Sequence, residues 1–138
     1  MVERTVREEL ARPVGDESAR DLKFRQAGFA YLHVGVLYEA AAWVMIQQDM
    51  LPDRFGPPAL WLLAGAAIVA LIFWLLYFKR SVWAARLVWA THALRIPTLI
   101  GGAFFPEEAT RFAPGFYITA LVVVVINLVF LARAGWDL

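Results

Sequence analysis

The 138-residue chain contains no cysteine. That absence excludes a disulfide scaffold, a thiolate zinc site and a cysteine nucleophile. Also missing are a glycine-rich phosphate loop, a histidine pair with glutamate at helical spacing, a Ser-His-Asp set and an aspartate cluster for metal-diphosphate chemistry. Each of those chemistries needs particular residue types at particular spacings, so the chain reads as non-enzymatic, with no resident metal or cofactor. Charge is scarce away from the N-terminus, and only Glu39 and Arg95 lie deep inside long apolar stretches. The six basic residues among the first 25 positions are matched by six acids, which argues against a nucleic-acid partner.

What the chain has in excess is apolar surface. Hydrophobic residues make up 61% and the mean hydropathy is +0.59, against roughly 45–50% apolar residues in soluble domains. A membrane-spanning helix needs about 20 apolar residues to cross a hydrocarbon core about 30 Å thick. Four runs qualify: 27–46, 59–78, 83–105 and 116–132. In lipid each backbone amide must be satisfied within its own segment, which predicts helices, and the alternation of a membrane β-barrel is absent. Val122 to Val125 has strand preference in water, but a flanked apolar run of this length overrides it. Short connections with turn signals, such as Leu51-Pro52-Asp53 and Gly56-Pro57-Pro58, make consecutive spans antiparallel. The expected fold is therefore all-α: an integral membrane four-helix bundle, up-down-up-down, forming a four-span domain over 27–138.

Lysine and arginine set the orientation, because acids contribute little to the positive-inside rule. Arg4, Arg7, Arg12, Arg20, Lys23, Arg25, Lys79, Arg80, Arg86 and Arg133 fall on one side, and Arg54 and Arg111 on the other. Both termini are thus expected on the cytoplasmic side of a cell inner membrane. The leading segment, 1–26, reads as cytoplasmic or membrane-surface. In it Val2, Val6 and Leu10 mark a short amphipathic helix, and Ser18 with Asp21 forms a capping-box-like second start.

Glu39 and Arg95 each lie 12 residues into a span running in the same direction, about 18 Å deep at 1.5 Å per residue. Equal depth and opposite sign predict an intramembrane charge pair, since a single charge at mid-membrane costs about 2.5–3.5 kcal/mol on insertion scales. Thr91 and His92 share the Arg95 face, and Tyr38 neighbours Glu39. Pro97 then frees the carbonyl of Ala93 and predicts a helix kink. A kinked helix with polar residues beside it suits a binding cavity as well as a packed bend. His33 and His92 lie about 9 and 13 Å deep by the same rise, so a haem b iron held between them is an alternative to simple interhelical hydrogen bonding. Asn127, about 6–8 Å deep on the fourth span, is expected to pack as a polar interhelical contact with His33 nearby in depth.

A membrane-embedded Glu39 in the first of four short spans resembles the small multidrug resistance transporters. That resemblance implies a carboxylate shared by drug and proton. The third span departs from the family, carrying His92 and Arg95 where the family keeps a small, glycine-rich kinked surface, and the lysine and arginine bias opposes dual-topology insertion. The leading expectation is a non-catalytic accessory or assembly subunit, or an oligomeric helical bundle, with membrane lipids and a homo-oligomer or larger membrane complex as partners. The alternatives are a proton-coupled transporter or channel built on Glu39, Arg95 and His92, and a haem b electron carrier using His33 and His92.

Overall fold

The computed structural model describes residues 14–50, 56–106 and 112–138. Among these there is no strand, and five helices follow one another: α1 (Val14–Gln47), α2 (Pro58–Tyr77), α3 (Val82–Ala93), α4 (Ile96–Phe104) and α5 (Pro114–Trp136). Three helical segments, Ser18–Gln47, Pro58–Tyr77 and Pro114–Trp136, are long and apolar enough to span a membrane. That marks the chain as a helical membrane protein.

α1 is continuous from Val14, so Ser18 sits inside the helix and not at its start. The aliphatic stretch with Val2, Val6 and Leu10, and most of the loop after Met50, lie outside the described residues. α5 begins two residues before the expected Phe116, because Pro114 occupies the first turn, where its missing N–H costs nothing.

The expected third span, 83–105, is two helices. Pro97 has no N–H to give the Ala93 carbonyl, and the chain tightens instead, with Arg95 N–H bonding the His92 carbonyl at 3.1 Å. Pro97 then falls in the first turn of α4. At 12 and 9 residues, α3 and α4 are each too short to cross a bilayer alone. They nevertheless lie along α5 in one antiparallel register: Arg86 faces Gly135 near one end, and Gly102 faces Tyr117 near the other.

Packing follows two seams whose steps are three or four residues, with one of seven between Val34 and Ala41. Glycines apart, the buried residues on α5 are Ala120, Val124, Asn127, Leu131 and Ala134, and on α1 they are Phe24, Ala27, Tyr31, Val34 and Ala41. Such spacing keeps one stripe turned towards neighbouring helices. α1 packs on both α2 and α5, whereas α2 and α3 meet little. Along α1 and α2 the contacts run in opposite order: Gly28 faces Tyr77, Gly35 faces Val69 and Gly65 faces Glu39. Gly35 is required there, since a Cβ would come within 2.6 Å of Val69 Cγ1.

At the end carrying Lys79 and Arg80, ion pairs tie the elements together. Lys23 bonds Asp137 at 2.8 Å and Arg80 bonds Asp21 at 2.7 Å. Arg86 Nε donates to the Gly135 carbonyl at 2.9 Å, and Arg133 donates to Gln26 Oε1 at 3.3 Å.

Candidate functional site

Because α2 and α3 diverge, α1 forms the floor of a cleft between them. Its volume is about 330 Å³, within the lower range for small-molecule sites. Glu39, Tyr38, His92, Thr91 and Arg95, the five residues that the sequence assigns to a charge pair or binding site, all line it. The remaining walls are largely aliphatic, with Ile68, Val69 and Ile72 contributed by α2.

The expected ion pair does not form. Among the described residues the ion pairs are Lys23 with Asp137 and Arg80 with Asp21, and Glu39 has no hydrogen-bond or ion-pair partner. The two side chains share a level but turn apart. The Glu39 carboxylate folds against Gly65, where an added Cβ would overlap it. The Arg95 guanidinium stacks over the Tyr38 ring, 4.5 Å from its centroid. Cation–π contact thus supplies the partner that the carboxylate was expected to be.

His92 is buried at the base of α3's inner face, between two tyrosines. Its ring lies edge-on to Tyr31 at 5.9 Å and stacks near Tyr38 at 6.4 Å. His92 Nδ1 lies 2.9 Å from the Val88 carbonyl. A carbonyl only accepts, so Nδ1 carries the hydrogen and a neutral ring keeps Nε2 as an acceptor. Thr91 Oγ1 likewise donates to the Val88 carbonyl, at 2.9 Å. The Tyr38 hydroxyl is buried without a partner.

Tyr38 and Arg95 also line a second cavity of about 400 Å³, which continues towards Met45, Thr98 and Tyr117. The Tyr38–Arg95 stack therefore stands between two cavities that follow each other along the bundle.

His33 is not part of this site. Its Nδ1 donates to the Phe29 carbonyl at 2.7 Å, and its ring lines a different groove that shares no residue with the cleft. Similar depth on two helices does not bring side chains together when the helical rotation separates them. The haem b alternative with His33 and His92 as paired ligands of one chain is corrected on that geometry. No group of three or more potential metal-ligating side chains occurs among the described residues. Asn127 is fully buried on the α5 seam, and neither its amide nitrogen nor its oxygen has a partner, so the expected interhelical hydrogen bond is not made.

Two residues of the cleft carry no motif in the sequence. Tyr31 precedes Tyr38 by seven positions on the α1 seam, a repeat that puts both rings on one side. Gly65, the seat of the Glu39 carboxylate, has no signal apart from lying in an apolar span. Compared with protein-family models, characterised proteins and solved structures, the chain has no match.

Proposed function

We propose that the protein is a non-enzymatic, multi-pass membrane protein that binds a small zwitterionic ligand with an apolar body, and moves it between the two cavities of the bundle. One observation carries this reading: Glu39 and Arg95 line the same cleft without touching. Leaving two opposite charges apart at mid-depth is costly in lipid, and a ligand presenting a cation to Glu39 and an anion to Arg95 offsets that cost for both. The aliphatic walls accept the ligand's body, and the Tyr38–Arg95 stack is the movable partition. In this topology α3 and α4 together form the third of four passes, up-down-up-down, and both termini face the cytoplasm of a cell inner membrane. The lysine and arginine distribution supports that orientation.

The test uses protein in lipid nanodiscs and three probes: phenylalanine, its methyl ester as the cation alone, and its N-acetyl form as the anion alone. Ligand binding raises thermal stability, by about 2.7 kcal/mol at a hundredfold excess over Kd. Phenylalanine is expected to stabilise the wild type more than either single-charge form does. Glu39→Gln should remove its advantage over the N-acetyl form, and Arg95→Gln its advantage over the ester. No shift with any probe, or equal shifts in wild type and both variants, contradicts the reading.

A second reading, an accessory or assembly subunit, is favoured by α2. That helix packs on α1 and leaves Leu63, Leu71 and Trp74 exposed, a face that a partner chain would cover. Co-purification of one partner at fixed stoichiometry supports it, and a monodisperse monomer from native membranes counts against it.

A further inference from the structure

The side of α1 facing away from the cleft carries a separate and larger groove, of about 590 Å³. Phe29, Val123, Ile126 and Phe130 give it apolar walls. Its α1 residues, from Leu22 to His33, recur at steps of three and four and lie about half a turn away from Tyr31 and Tyr38, and about a third of a turn from Glu39, by the 3.6-residue repeat. The groove is therefore independent of the site described above.

Its two ends differ in chemistry. One carries Arg25 and Gln26, at the end of the bundle where Lys79, Arg80 and Arg133 also lie. The other ends at His33, eight residues along α1 from Arg25, or about 12 Å. That length is close to one leaflet of a hydrocarbon core, about 15 Å.

The charge at the mouth is uncompensated. Lys23 takes Asp137 and Arg80 takes Asp21. Among the described residues Arg25 has no acid partner, and its guanidinium is held over the Tyr77 ring, 5.8 Å from the centroid. Gln26 accepts from Arg133, which brings a second guanidinium to the same rim.

We propose that this groove is a binding site for one anionic phospholipid. One acyl chain lies between Phe29, Ile126 and Phe130, and the phosphate meets Arg25 at the rim. The combination of an apolar channel one leaflet long and an unpaired cation at its headgroup end selects an anionic lipid over a zwitterionic one. A soluble anion would satisfy Arg25 but leave the channel unfilled.

The test is native mass spectrometry of the whole protein released from detergent, titrated with phosphatidylglycerol and phosphatidylcholine of identical chains. The expected result is one phosphatidylglycerol bound at least fivefold tighter than phosphatidylcholine. Arg25→Gln should reduce that preference by about fivefold, as expected for one basic residue at an anionic surface, and Arg25→Lys should retain most of it. Ile126→Trp, which fills the channel, should weaken both lipids together. Equal affinity for the two lipids, an unchanged preference in Arg25→Gln, or displacement of phosphatidylglycerol by millimolar inorganic phosphate would overturn the assignment.

Discussion

Replacing Arg95 by glutamine removes its contact with Tyr38, and the size of that loss separates the observed arrangement from a buried ion pair. A guanidinium over a tyrosine ring at 4.5 Å is worth about 0.5–1 kcal/mol when exposed and about 2 kcal/mol when desolvated. The side of Arg95 turned to the cleft is partly open, which places the expected loss near 1 kcal/mol. A direct Glu39–Arg95 pair would behave differently, since removing one partner of a buried pair typically costs about 3–5 kcal/mol. Were the cleft filled with water, the coupling of two charges held apart across it would fall below about 1 kcal/mol. Two double-mutant cycles, Arg95→Gln with Tyr38→Leu and Arg95→Gln with Glu39→Gln, read by SDS-induced unfolding in mixed micelles, isolate the two terms. The first cycle should give a coupling of about 1 kcal/mol and the second a smaller one. A Glu39–Arg95 coupling above about 2 kcal/mol, with none for Tyr38–Arg95, would mean that the two charges are directly paired.

Three other perturbations test the packing and the basic end. Gly35→Ala should destabilise by about 1–3 kcal/mol through overlap with Val69, and Val69→Ala in the same chain should recover part of the loss; equal thermal stability of Gly35→Ala and wild type would contradict the close approach. Asn127→Leu should stabilise by about 1–3 kcal/mol, because it replaces a buried amide that has no partner by an apolar group of similar size; a lowered midpoint in detergent unfolding would show that the amide is satisfied. The Asp137 carboxyl is held below its ordinary value of 3.8 by the hydrogen bond from Lys23, and then by the Lys23 charge. The contribution of this latch is therefore fully present above pH 3.8 and is lost as the pH falls through the lower folded value. A spin label at Leu138→Cys should gain mobility over that acid window. The response should disappear in an Asp137→Asn background, and a label insensitive to acid in the parent would count against the latch.

The apolar runs locate the helical regions, because length and hydropathy act locally, but not all of their bounds: α1 begins at Val14, well before Ala27, and the third run is two helices. The second run, Ala59 to Phe78, differs by one residue at each end from the observed α2. α5 extends past the expected Ala132 to Trp136 because Arg133 can hold its charge at the helix end while bonding Gln26. Pro97 was visible as a disruption, but whether a proline bends a helix or divides it depends on where the neighbouring amides go, and Arg95 N–H turned to His92. A common level along the bundle was also legible, since rise per residue places Glu39 and Arg95 together and both line one cleft. Rotation about the helix axis was not: it is set by the seam that buries Phe24, Ala27, Tyr31 and Val34, and by the glycine contacts that bring α2 against α1. That rotation sends Glu39 to Gly65, leaves Arg95 to Tyr38 and puts His33 on another face. Five residues of the cleft, Tyr38, Glu39, Thr91, His92 and Arg95, are thus legible in the sequence, Tyr31 and Gly65 are not, and the partners are decided by packing.

To bind a solute, the cleft between α2 and α3, where Glu39, Thr91, His92 and Arg95 meet aliphatic walls, must be open to water-soluble molecules. The absence of cysteine makes a direct measurement possible, the labelling of single introduced cysteines by a water-soluble thiol reagent in membrane vesicles. Thr91→Cys lies on the cleft wall, and Val129→Cys on the exposed apolar surface of α5. Rapid modification of Thr91→Cys, slowed by a bound zwitterion, and little modification of Val129→Cys are expected. Equal, slow labelling at the two positions would mean that the cleft is closed to water-soluble molecules.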